Sequence, residues 1–99
     1  MQNKNLRSYI EEARAKGIAI GHFNFSTFDV AKAIVKAAKE LDTPVILGLS
    51  EGERDFVGVH EASAYVQAIR ESFYVPVFLN ADHTYSYERV VEAVEAGFD

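Results

Sequence analysis

The chain has 99 residues, ten basic against fifteen acidic for a net charge of −5, and no cysteine. That balance excludes a face of clustered Lys and Arg tracking a phosphate backbone, so nucleic acid is not an expected partner. The missing cysteines exclude disulfides, thiol nucleophiles and thiolate zinc sites. With 48% hydrophobic and 25% charged residues but only six glycines and two prolines, the composition is that of one small globular domain over 1–99. A chain of this size buries about 60–65% of the surface its unfolded form exposes, a thin margin.

The opening stretch "MQNKNLRSYIEEARAK" is charged throughout and has no apolar signal core, and no segment approaches the roughly 20 apolar residues of a membrane span. A cytoplasmic protein without membrane contact is the expectation. Leu6, Tyr9, Ile10 and Ala13 recur at helical spacing, with Arg14 and Lys16 in the last turn and Gly17 as the stop. "IAIGHFNF" (18–25) reads as a strand. Ser26 with Asp29 three residues on reads as a capping box, opening a helix whose apolar face is Ala31, Ile34, Val35, Ala38 and Leu41.

Pro44 ends that helix, and "PVILGLS" is a continuous apolar run, as in a strand buried on both faces. "EGERDFVG" reads as a loop with at most a short helical turn. Ala62, Tyr65, Val66, Ile69 and Phe73 mark the next helix. "VPVFLNA" is a third strand, and Ser86 caps a last helix that runs through Val90, Val91 and Val94 to Gly97.

Strands about thirty residues apart, joined by helices, imply βαβ units and a parallel sheet. A doubly wound sheet and a (β/α)8 TIM barrel share this signature. No dinucleotide or P-loop glycine fingerprint is present, which favours the barrel. A full barrel takes about 250 residues, so this α/β chain holds about three βα units behind a leading helix. The sequence stops at "AGFD", where a fourth strand is due. The expectation is the N-terminal part of a TIM (β/α)8 barrel.

In either architecture ligands bind at the C-terminal ends of the strands. All three strands turn polar there: His22 and Asn24, then Ser50 and Glu51, then Asn80, Asp82, His83 and Thr84. His22, sharing a face with Ile18, Ile20 and Asn24, reads as hydrogen-bonded packing, and His60 as a helix start or an exposed residue. Glu51, Glu53 and Asp55 read as loop solvation and helix-start acids. Asp82–His83 is the stronger pair, since a neutral imidazole binds Zn2+ and a neighbouring carboxylate exchanges protons with substrate. Adjacent strand residues point to opposite faces, so both serve one site only if the backbone leaves strand geometry near Ala81. A catalytic zinc also needs about three protein ligands. No His-x-His or His-x-x-x-His spacing occurs, and the dipeptide alone makes no metal site.

"VPVFLNADHTYSYERVVEAVEAGFD" resembles the third strand and helix of class II, metal-dependent fructose-bisphosphate aldolases, where an Asp-His pair ends that strand. "GHFNFSTFDVAKAIVKAAKELDTPVILGLSEG" is similar to the first two units of the same family. The resemblance implies that His83 is a zinc ligand and that Asp82 is the acid/base residue. It implies that Asn24 and Ser50 contact a phosphorylated ketose or triose. It also implies zinc as cofactor, with the other ligands beyond residue 99. A homo-oligomer is expected separately, from self-association through the open edges of a three-strand sheet. Asn80 and Thr84 depart from the His and the Gly or Cys that many members have there, which opens the exact substrate. Fructose 1,6-bisphosphate cleavage is the first expectation, with the 99 residues alone inactive. Tagatose-bisphosphate or related ketose-phosphate aldolases, a non-catalytic self-associating half-barrel, and a flavodoxin-like domain are the alternatives.

Overall fold

The computed structural model describes residues 4–99, so Met1, Gln2 and Asn3 of the opening stretch and of the 1–99 domain lie outside the described residues. Eight elements follow in order: α1 (Leu6–Lys16), β1 (Gly21–Asn24), α2 (Phe28–Glu40), β2 (Val45–Leu49), α3 (Glu51–Val57), α4 (Val59–Phe73), β3 (Val77–Ala81) and α5 (Tyr87–Ala96). Helix α1 starts where the Asn5 side chain accepts the Ser8 N–H and stops at Gly17, whose φ of +71° suits a residue without a Cβ. Helix α5 is bounded as expected, by the Ser86 side chain accepting from the Arg89 N–H and by Gly97 at φ +101°.

The three strands form one parallel sheet in the order β1-β2-β3. Gly21 pairs with Val45 and Val45 with Val77, and at the far end Asn24 pairs with Gly48 and Gly48 with Asn80. Because successive side chains alternate across a sheet, this register puts Val45, Leu47, Leu49, Val77 and Leu79 on one face. They form one buried cluster with Ala31, Val35 and Ala38 of α2 and Ala62, Val66 and Ile69 of α4. Both crossover helices thus belong to the core on one face of a sheet whose strand order follows the chain. A doubly wound sheet reverses order to cover both faces, so the flavodoxin-like alternative is excluded and the arc is that of a barrel. On the opposite face α1 closes the start of the strands, its Tyr9 ring 5.5 Å from the ring of Phe78. Beside β3, Asp99 donates its N–H to the Leu79 carbonyl at 2.9 Å, and its carboxylate accepts the Leu79 N–H at 3.0 Å.

Three expectations are corrected. β1 is shorter than 18–25, because β2 begins at Val45 and offers Gly21, not Ile18, a partner. Ile18 is left 60% exposed, so His22 does not share a strand face with Ile18 and Ile20. "EGERDFVG" is not a loop but carries α3, held by a capping box in which the Ser50 side chain accepts from Glu53 N–H and the Glu53 carboxylate from Ser50 N–H. Ser26 and Asp29 form no capping box: the α2 cap is Thr27, and the Ser26 hydroxyl donates instead to Glu53. Among the described residues no helix is long and apolar enough to cross a membrane.

Candidate functional site

The strand ends converge on one polar rim. Asn24, Gly48 and Asn80 lie abreast in the register. Gly48 lets the His22 ring lie over the strand, since a Cβ there would stand 2.4 Å from its Cε1 and displace the ring. The ring is hydrogen-bonded to the Asn80 amide, with Nε2 and Nδ2 3.1 Å apart.

Beyond Ala81 the third strand leaves regular geometry. The Asp82 N–H still donates to the Leu49 carbonyl at 2.9 Å, but His83 adopts a left-handed φ of +50°. This is the departure needed for adjacent side chains to share a site. Asp82 and His83 are brought together, with His83 Nε2 3.7 Å from Asp82 Oδ2, and the imidazole is 69% exposed. The Asn24 amide Nδ2 donates to Asp82 Oδ2 at 3.2 Å, joining β1 to β3. Ser50 is held further back as the cap of α3 and reaches the others through Glu53. His60 is exposed on the first turn of α4.

Two residues that tie the rim together were not apparent from the sequence. Arg54, 1% exposed, donates from Nη1 to the carbonyls of Leu49 (2.6 Å) and Asp82 (3.1 Å) and from Nη2 to Thr84 Oγ1 (3.1 Å). It thus clamps the turn that carries Asp82 and His83. Its position in a run of charged residues gave no hint of burial. Glu53 accepts from Asn24 Nδ2 (2.9 Å) and Ser50 N–H (2.8 Å) on Oε1 and from Ser26 Oγ (3.1 Å) on Oε2. Partial burial pushes its carboxyl up, but the hydrogen bonds from Asn24, Ser50 and Ser26 outweigh it and hold the group below its ordinary range. The S-x-x-E pattern was the available signal. The other two acids of α3 are also engaged, Glu51 by the Tyr85 N–H and Asp55 by Arg89.

The rim combines a carboxylate able to move a proton, an amide beside it and an open imidazole able to bind a metal. Among the described residues no group of three or more His, Cys, Asp or Glu could hold a metal ion.

Comparison with known proteins places this geometry. The chain is 37% identical over 97 residues to a protein of Bacillus subtilis named "Probable fructose-bisphosphate aldolase", covering 95% of the chain and 34% of the relative. It is 39% identical over 89 residues to the fructose-bisphosphate aldolase of Thermus caldophilus, covering 90% and 29%. Among solved structures, the YdjI aldolase of Escherichia coli K12 superposes with a TM-score of 0.86 at 26% identity, over 98% of this chain and 37% of that one. The chain spans about a third of the length of the curated relatives it matches. The family profile "Fructose-bisphosphate aldolase class-II" matches residues 4–99, and with three parallel βα units ending on an Asp-His turn the chain belongs to that family.

Proposed function

We propose that residues 1–99 are a single partial domain, the leading helix and first three units of a class II ketose-bisphosphate aldolase. The reaction is the reversible cleavage of fructose 1,6-bisphosphate to dihydroxyacetone phosphate and glyceraldehyde 3-phosphate, in the cytoplasm and as a homo-oligomer. What carries the reading is the 3.2 Å contact between Asn24 and Asp82, which unites on one rim residues 58 positions apart. In cleavage Asp82 takes the proton from the C4 hydroxyl as the C3–C4 bond breaks. In condensation it returns that proton to the aldehyde oxygen. Asn24 and Ser50 hold the ketose, with Asn24 also fixing the Asp82 carboxylate through its amide N–H.

The exposed imidazole of His83 suits one metal ligand, and the described residues offer no complete set. His83 would hold zinc together with ligands from outside this segment, and bound zinc supplies a Lewis acid at the ketone carbonyl. The 99 residues alone are therefore inactive in this reading. The test uses protein expressed from the complete coding sequence. Asp82→Ala is expected to lower fructose 1,6-bisphosphate turnover by about 10²–10⁴-fold, and a chelator is expected to abolish it. Turnover that survives Asp82→Ala intact rejects the reading.

A further inference from the structure

Glu53 does more than a helix cap requires. Capping needs one carboxylate contact, the Ser50 N–H at 2.8 Å. The remaining capacity goes to groups outside α3: the Asn24 amide at 2.9 Å and the Ser26 hydroxyl at 3.1 Å, both from the end of β1 and the loop after it. The Asn24 Nδ2 has two hydrogens, and its second acceptor is Asp82 Oδ2 at 3.2 Å. One NH2 group is therefore held between two carboxylates. Rotating the amide by 180° would set its oxygen against two carboxylate acceptors, so the orientation is fixed electrostatically. With either carboxylate alone, the amide could satisfy its donor and swing about the Asn24 side-chain torsions. With both, its plane and its direction are set.

Building on the aldolase reading, we propose that Glu53 is a positioning residue that acts through Asn24, locking the Asn24 amide so that one N–H stays on the Asp82 carboxylate while the amide oxygen is left for the ligand. Glu53 itself touches neither the ligand nor the reacting atoms. Its contacts join the end of β1 and the loop after it to Ser50 behind β2, and Asn24 carries the link on to Asp82. Removal releases the Ser26 hydroxyl and leaves the Asn24 amide with Asp82 alone, while the Ser50 hydroxyl continues to cap α3 through the residue 53 backbone N–H.

The experiment has an arm that needs no turnover. In 15N-labelled chain, both Asn24 side-chain N–H protons are expected to exchange more slowly than those of a solvent-exposed amide. Glu53→Gln, whose amide oxygen can still accept from Asn24 and Ser50, is expected to keep that protection, and Glu53→Ala to lose it. Asn24 protons that exchange like a free amide in the unmodified chain overturn the proposal, even if the Ala variant does not fold. So do Asn24 protons that are unchanged in Glu53→Ala.

In protein expressed from the complete coding sequence, Glu53→Ala is expected to lower kcat/KM by about 10–100-fold. The loss is expected to be strongly non-additive with Asn24→Ala, because two residues on one path share one effect. Additive losses mean that Glu53 acts only as a cap and reject the proposal. An unimpaired Asp82→Ala enzyme instead rejects the aldolase reading and leaves the exchange arm to decide the role of Glu53.

Discussion

The two faces of one small sheet are built to different rules. On the face covered by α2 and α4, Val45, Leu47, Leu49, Val77 and Leu79 are no more than 3% exposed. On the other, Phe78 is closed off by Tyr9 near the strand starts, and the strand ends carry His22, Asn24 and Asn80 in a hydrogen-bonded rim. The alternation of the pleat lets a single strand serve both, with Leu79 in the core and Asn80 on the rim as consecutive residues. The fold draws its stability from one side and leaves the other free to hold polar groups in place.

The sharpest way to break this comparison is to truncate those neighbours. Leu79→Ala is expected to cost about 2–5 kcal/mol in urea unfolding, as deletion of a buried leucine does. Asn80→Ala removes one partly exposed hydrogen bond and is expected to cost about 1 kcal/mol or less. Equal losses at the two positions refute the division of labour.

Arg54 lies where the two regimes meet, a buried cation bonded to the backbone of Leu49 and Asp82. Arg54→Met leaves those carbonyls without their donor and is expected to cost about 1–3 kcal/mol. Its distinguishing sign is faster hydrogen exchange at the Asp82 N–H with the amides of Leu47 and Leu79 unchanged. A uniform acceleration would make Arg54 an ordinary core residue.

The smallest expected effect concerns acid. Burial raises the Glu53 carboxyl, but its hydrogen bonds hold it below 4.5 in the folded chain. As pH falls, the unfolded chain takes up that proton first, so the stabilisation is present above about pH 4.5 and lost as pH drops through the folded value. Glu53→Gln is expected to flatten this part of the plot of urea midpoint against pH, and an unaltered slope would show that the rim contributes nothing to acid sensitivity.

What could be read from the sequence was what depends on near neighbours. The apolar runs of β2 and β3 needed no partner to be identified, and Ser86 and Gly97 bound α5 by local capping alone. The errors came where a distant group outcompeted a local one. Ser26 has a plausible capping partner in Asp29, but the Glu53 carboxylate, brought near by α3, takes its hydroxyl. Helix α3 is short, contains Gly52 and lacks an apolar stripe, so periodicity could not find it. Its capping box and the burial of Arg54 hold it in place. For the site, Asp82, His83, Asn24 and Ser50 stood out as polar residues at strand ends. Ser50 joins the other three through Glu53, whose role depends on contacts 27 and 29 residues away in the chain.

The strand order has a consequence in time. Because β1, β2 and β3 lie side by side in the order in which they are synthesised, each strand can dock on its predecessor as it leaves the ribosome, with no later strand to be threaded between. The rim is then finished in sequence. In chain order the Asn24 amide meets its first acceptor in Glu53 of α3 and its second in Asp82, just after β3. A single side-chain amide thus ties together three segments in the order in which they are made.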